Sequence, residues 1–257
     1  MNKIKIVILS GQNKSTNIIF NSLRKEFTIE KVIIEKHIPM GRFFKRRIKT
    51  LGIIKVMGQL LFLILIVPIM KITSKNRLKQ IKKKYKLVDD PIKNSKILNL
   101  SSINSIETMK ILRKYNPGLV IINGTRIISE TILNSIDAKF INTHAGINPL
   151  YRGLHGGYWA LIENNINKCG FTVHLVDAGI DTGNILEQGL IKPSKDDNFV
   201  TYPLLQLAEG LPLLKKAIND IFNNKMVIKP NPEGISKFWS HPSLWEYLLN
   251  RIIYKVK

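Results

Sequence analysis

Short β-branched runs, separated by stretches with helical spacing, constrain this chain more than any other feature. "KIKIVILS", residues 3–10, is the kind of run found in a strand covered on both faces. It stops at "GQNKSTN", a turn of small polar residues. "NIIFNSLRKEF" then has the apolar spacing of a helix, and "EKVIIE" is a second strand. Strand, glycine turn, helix, strand is a βαβ opening, which calls for a parallel sheet. The same alternation returns later. "KILNL", "LVIIN", "KFINTH", "GFTVHLV" and "NILEQGLI" read as strands, and "SINSIETMKILRKY" as a helix stopped by Asn116-Pro117-Gly118. "SETILNSI" and "GGYWALIENN" fit shorter helices. "TYPLLQLAEGLPLLKKAINDIF" fits a closing helix with an irregularity expected at Gly210-Leu211-Pro212. There is no internal repeat. The expected fold is α/β, a doubly wound, mostly parallel sheet, and such sheets bind ligands beyond the carboxyl ends of their strands.

The segment between the two halves of that pattern is different. The formal net charge is +22. Between Glu35 and Asp89 there is no acidic residue, and 15 lysines and arginines fall there, 14 of them from Arg42 to Lys86. Its centre, Val56 to Met70, carries no charge and one amide, Gln59. Leu51 to Ile72 just reaches the roughly 20 residues that span a bilayer. A single crossing conflicts with the topology, because the strands before and after it must pair in one sheet. Two alternatives stand: a membrane-surface or re-entrant hairpin attracted to anionic lipid, or a helical insertion packed on the body or on a second subunit. Nucleic acid is disfavoured, since only Phe43, Phe44, Phe62 and Tyr85 are available for stacking in the segment. The chain thus divides into a main domain, 1–222, interrupted by a basic, apolar insertion, 38–92, and a basic tail, 223–257. The tail stretch "HPSLWEYLLNRIIYKVK" reads either as an amphipathic basic helix or as a closing helix on the domain. One cysteine, Cys169, rules out internal disulfides and multi-cysteine metal sites. With "MNKIKIVILSGQ" unlike a secretory signal, the expected location is cytoplasmic, peripheral to the inner membrane face if the insertion meets lipid.

Five histidines are present: His37, His144, His155, His174 and His241. His174 lies mid-strand and His241 precedes a proline, so both default to structural roles. His144 follows Asn142 by two at the carboxyl end of a strand, which puts amide and imidazole on one face. "VDAGIDTGNILEQ" supplies Asp177 and Asp181 in a glycine-interrupted loop, and Asp181 is the better placed to join them. Spacing alone is weak evidence: such groups also cap strands and satisfy loop backbone.

The combination says more. "INTHAGINPLYRGLHGGYWAL" followed by "GFTVHLVDAGIDTGNILEQ" resembles the formyltransferases that use 10-formyltetrahydrofolate. The matching positions are Asn142, His144, Pro149, Arg152-Gly153, Gly170, Thr172, His174 and Asp181-Thr182-Gly183. The resemblance covers about residues 1–35 and 95–222, which makes 1–222 the formyltransferase domain with a Rossmann-like fold. It implies Asn142, His144 and Asp181 as catalytic residues. Asn142 and a protonated His144 would donate to the charge developing on the formyl oxygen. Asp181 would hold the imidazole charged and position a water that ferries a proton. It also implies that Asn123, Gly124, Thr125, Arg126, Ile127 and Ile128, with Asp177, hold the folate, and that no metal is required.

For the acceptor, the resemblance implies a small-molecule amine carrying a phosphate. "ILSGQNKSTN" and "GLH" are similar to the glycinamide ribonucleotide branch, whose first glycine loop cradles the substrate phosphate. Here that places Gly11, Gln12, Asn13, Lys14 and Ser15 at the anion, with backbone N–H groups at a helix start. Glu209 falls where that branch has a substrate-binding glutamate, but Gly210 replaces its histidine neighbour, and the loop has one glycine where two are usual. The branch that acts on tRNA carries a C-terminal RNA domain, which the 35 residues after Phe222 are too few to form. The insertion instead points toward an amino sugar linked to a nucleotide, for a surface polysaccharide. The rival of another class is a non-catalytic membrane- or nucleic-acid-binding protein on the same fold.

Overall fold

The computed structural model describes residues 4–36 and 40–257; His37 lies outside them. Seven strands form one sheet: β1 (Lys5–Gly11), β2 (Thr28–Glu35), β3 (Ile97–Leu100), β4 (Leu119–Asn123), β5 (Lys139–His144), β7 (Gly170–Leu175) and β8 (Ile185–Leu190). Their order is β3-β2-β1-β4-β5-β7-β8. The first five run parallel, and β7 and β8 are antiparallel additions at one edge. A small second sheet pairs β6 (Tyr151–Gly153) with β9 (Lys237–Trp239).

The first strand shows why its run is uninterrupted. Ile6 and Ile8 enter one core with the helices Lys14–Leu23 and Tyr202–Phe222, while Val7 and Leu9 enter another with Ile103 and Leu112. Both faces are covered, so every position is apolar. The strand order reverses between β1 and β4, which is where an open sheet of this kind makes a crevice.

One expectation needs correction. The helix Tyr202–Phe222 passes through Pro212 without a break. Its buried residues Leu207, Leu211 and Leu214 lie against the sheet with Phe171, Val173 and Leu186, while Leu205 and Ala208 enter a second core. That packing outweighs the roughly 3 kcal/mol that an interior proline costs.

The insertion is helical and belongs to the body. Helices span Met40–Leu51, Ile53–Thr73 (with a π turn at Phe62–Ile66) and Lys75–Lys84. Phe62, Val67, Met70 and Ile81 join a core with Trp159, Phe199, Tyr202 and Tyr247. Phe62 is fully buried, its ring 4.9 Å from those of Phe199 and Tyr247. The tail folds back as the helix Leu244–Ile253, started by a Ser243–Glu246 capping box, and packs beside the insertion.

Candidate active site

Strand β5 ends at Asn142-Thr143-His144, and β7 runs antiparallel to it with His174 opposite Asn142 and Thr172 opposite His144. The loop after β7 returns Asp181 to the same place. Asp181 sits at φ +53°, a left-handed conformation that costs a non-glycine residue about 1–3 kcal/mol and concentrates at functional sites. This strain carries its carboxylate into the angle between β5 and β6.

Four polar side chains meet there. Asn142 Nδ2 lies 3.3 Å from Asp181 Oδ1 and 3.2 Å from His174 Nε2. His144 Nδ1 is 3.4 Å from Asp181 Oδ2, which also accepts from the Gly153 N–H at 3.0 Å. His144 Nε2 donates to the Tyr151 carbonyl at 2.8 Å, and His174 Nδ1 to the Leu175 carbonyl at 2.7 Å. Carbonyls only accept, so these bonds set the tautomers: each ring keeps one proton on its carbonyl and presents its other nitrogen to the cluster.

Gly146 lies under this arrangement. A Cβ there would come within 2.4 Å of the Tyr151 carbonyl oxygen and 2.6 Å of His144 Nε2, so only glycine leaves that hydrogen bond intact. Thr172 fixes the same loop, donating to the Gly146 carbonyl and accepting from the Asn148 N–H.

The electrostatics oppose a standing charge on the His144 imidazole. Burial pulls the His144 pKa below the ordinary histidine value. The Asp181 charge and the Tyr151 carbonyl push the other way without reversing it. Asp181 goes down: burial pushes it up, but the two imidazoles and the Gly153 N–H outweigh that and leave it at about 2. Burial thus disfavours a standing charge on His144, while Asp181 is held as the carboxylate beside it.

A cleft of about 290 Å³ opens above these groups, at the carboxyl ends of β4 and β5. Its walls include Gly124, Thr125, Arg126, Ile127 and Ile128 from the loop after β4, and Asp177 with Gly179 and Ile180 from the loop after β7. Asp177 also shapes its own loop, accepting from the Gly179 N–H and Thr182 Oγ1. Ile127, Ile180 and Phe238 expose apolar surface at the mouth. Together with a rim of backbone, that suits a flat heteroaromatic ring.

The remaining sequence candidates engage other partners, most of them away from the cleft. Asn123 does not line the cleft: its buried carboxamide turns back and donates toward Asn13, Ser15 and Thr16. Arg126 faces Glu35, with Nε 2.6 Å from its carboxylate. Asn13 caps the helix Lys14–Leu23 by accepting from the Thr16 N–H, while Gln12 and Lys14 stay exposed beside it. The loop Gly11–Ser15 reaches the cleft only through Gly124, against which Gly11 and Asn13 pack. Glu209 is turned away, accepting from Tyr85 Oη of the insertion at 2.5 Å. His155 and His241 bond each other at 2.9 Å outside the cleft.

The residue that reading the strands one at a time misses is His174. A mid-strand histidine looks structural until the pairing of β5 with β7 sets it beside Asn142.

Residues 66–202, just over half of the chain, match the family described as formyl transferase. Among curated relatives, a methionyl-tRNA formyltransferase of Caldanaerobacter subterraneus subsp. tengcongensis is 30% identical over 137 residues, covering 52% of this chain and 44% of that protein. One from Thermodesulfovibrio yellowstonii is 33% identical over 126 residues, covering 49% and 40%. The chain matches less than half the length of these relatives. Among solved structures, glycinamide ribonucleotide transformylase 1 from Symbiobacterium toebii superposes with a TM-score of 0.58 at 19% identity, covering 91% of this chain and 95% of that one. A 4-N formyltransferase from Francisella tularensis gives 0.55 at 22% identity, covering 91% and 76%. The structural likeness shows the shared fold, and on the match over residues 66–202 the chain belongs to the formyl transferase family.

Proposed function

We propose that the protein transfers a formyl group from 10-formyltetrahydrofolate to the primary amine of a phosphorylated small molecule. One observation carries this reading: Asn142, His144 and Asp181 converge at the floor of a cleft at the strand ends. A tetrahydrofolate is bound in a solved HypX from Aquifex aeolicus, 13% identical and alike in fold. Here the loop 124–128 and the apolar mouth would hold such a ring, and the co-substrate would supply the activated formyl carbonyl.

The chain's own residues suit the rest of the chemistry. The long Asn142–Asp181 contact is readily exchanged, so one amide hydrogen can turn to the formyl oxygen as charge develops there. His144, with its open Nδ1 beside Asp181, can accept the proton lost by the attacking amine, directly or through a water, and return it to the folate nitrogen as that nitrogen's bond to the formyl carbon breaks. The Asp181 carboxylate then steadies the imidazolium. Because burial opposes a standing charge on His144, the ring suits the role of proton acceptor.

The phosphate is assigned to the exposed loop Gly11–Ser15, where Lys14 adds a full charge to a helix start. Phosphoribosylglycinamide fits that assignment. A nucleotide-linked amino sugar is the second reading, favoured by the tie between insertion and cleft: Gln59 donates to Ser240 Oγ and the His241 carbonyl, in the segment that carries Phe238. The test is to offer the protein 10-formyltetrahydrofolate with phosphoribosylglycinamide, nucleotide-linked 4-amino sugars and methionyl-tRNA, reading formylated product by mass spectrometry. Product from one amine names the acceptor, and no product from any amine sinks the proposal.

A further inference from the structure

The helix Ile53–Thr73 is long and apolar enough to cross a bilayer, yet its inner face is fastened to the body. Gln59, 3% exposed, accepts from Arg47 and donates to Ser240 and His241. Crossing a membrane would strip those bonds and uncover Phe62. The helix therefore lies along the surface.

Its outer face is the unusual one. From 53 to 72, every exposed position except Lys71 is apolar. Ile54 is 73% exposed and Ile64 65%. A helix on a water-soluble body turns polar residues outward, so this one is reversed. The neighbouring helix Leu244–Ile253 continues the face. Trp245 packs where Gly58 lacks a side chain, and Leu248, Leu249 and Ile252 point outward, Ile252 at 76%. Between the two helices runs a groove of about 640 Å³ with Ile69 and Leu248 on its wall and Arg251 and Lys257 among its polar lining. The flanking helices are cationic: Lys45 and Lys49 before, Lys75, Lys79 and Lys82–Lys84 after, with no acidic residue between Glu35 and Asp89.

An apolar face framed by lysines is the signature of a surface that sinks into the headgroup region of an anionic bilayer. We infer that the helices Ile53–Thr73 and Leu244–Ile253 form one docking face for an anionic membrane surface, on which the protein lies without crossing. The charge decides against a second copy as the occupant, since pairing two such faces would set lysine against lysine. This docking stands whether or not the formyl acceptor is identified correctly.

The test uses the full chain and vesicles of equal parts phosphatidylcholine and phosphatidylglycerol, against phosphatidylcholine alone. Co-sedimentation should occur with the anionic vesicles at low salt. It should weaken as salt approaches about 1 M, where charges are screened within about 3 Å. The triple variant Ile54→Glu, Ile64→Glu, Ile69→Glu should keep its far-UV spectrum and lose at least about tenfold in vesicle affinity. Ile106→Glu, exposed on the helix Ile106–Tyr115, should bind as wild type. If the triple variant does not fold, brominated lipid supplies the readout in the wild type: quenching that Trp245→Phe reduces supports docking, and its absence counts against it. Wild-type protein that ignores anionic vesicles at low salt, or a folded triple variant that binds undiminished, overturns the inference. So does a wild-type dimer that the triple variant dissociates, since the face is then covered by a second copy.

Discussion

Asp181 holds a strained backbone and is the acceptor for Asn142 and Gly153 as well as the neighbour of His144. Asp181→Asn keeps the shape, and asparagine tolerates the left-handed conformation, but the charge that would steady an imidazolium is gone. Turnover is expected to fall by about 10²-fold or more with the near-UV spectrum unchanged; a variant within a few-fold of wild type would remove Asp181 from the chemistry. The paired histidines 155 and 241 make a different prediction. Burial drives His155 down to about 3, with His241 adding to the effect, and burial drives His241 down to about 4, helped by Arg47. Both folded values lie below the unfolded value of 6.5, so the unfolded chain takes up protons that the folded one refuses. Stability is therefore full above pH 6.5 and falls as the pH drops from there toward 4. The slope is at most roughly 1.4 kcal/mol per pH unit for each ring, reduced by solvent at these partly exposed side chains. Urea midpoints at neutral pH and near pH 5 should show the loss, and His241→Gln should shrink it; equal midpoints for the wild type would contradict the assignment.

Among the elements, the helix Tyr202–Phe222 holds its course only because its inner face is buried on the sheet. Pro212 is exposed, so its ring contributes little to packing while it removes a backbone donor. Pro212→Ala should raise stability by about 1–3 kcal/mol, read as a higher urea midpoint with an unchanged slope. A lower midpoint would mean that the helix is built around the proline. The helical insertion has the opposite character. Its termini connect strands β2 and β3, adjacent in the sheet, and this constrains where it begins and ends.

At the level of the whole molecule, the insertion, the tail and the formyl transferase domain share one core around Phe62, Phe199 and Tyr247. Phe62→Ala should cost about 3–5 kcal/mol and lower the stability of the entire protein in one transition. A separate early transition confined to the insertion would show instead that it folds apart from the body. Cutting out the insertion would bare the Phe199 and Tyr247 rings, so insertion and domain are expected to unfold together.

The strands and most helices were legible because burial on both faces leaves an unbroken apolar run, and burial on one face leaves a helical period. The family was legible because Asn142, His144 and Asp181 sit in short motifs, close together in sequence, that carry the resemblance. Three things were out of reach. His174 joins the site through a strand pairing 32 residues away in sequence, and no local pattern encodes that contact. The protonation of His144 depends on how deeply the ring is buried, at 6% exposure, a property of packing and not of its neighbours in the chain. The apolar stretch 56–70 has the same composition whether it crosses a membrane, fills a core or lies on a surface. The bonds of Gln59 and the burial of Phe62 settle which side faces the protein, because a buried amide needs partners that only the folded chain brings to it.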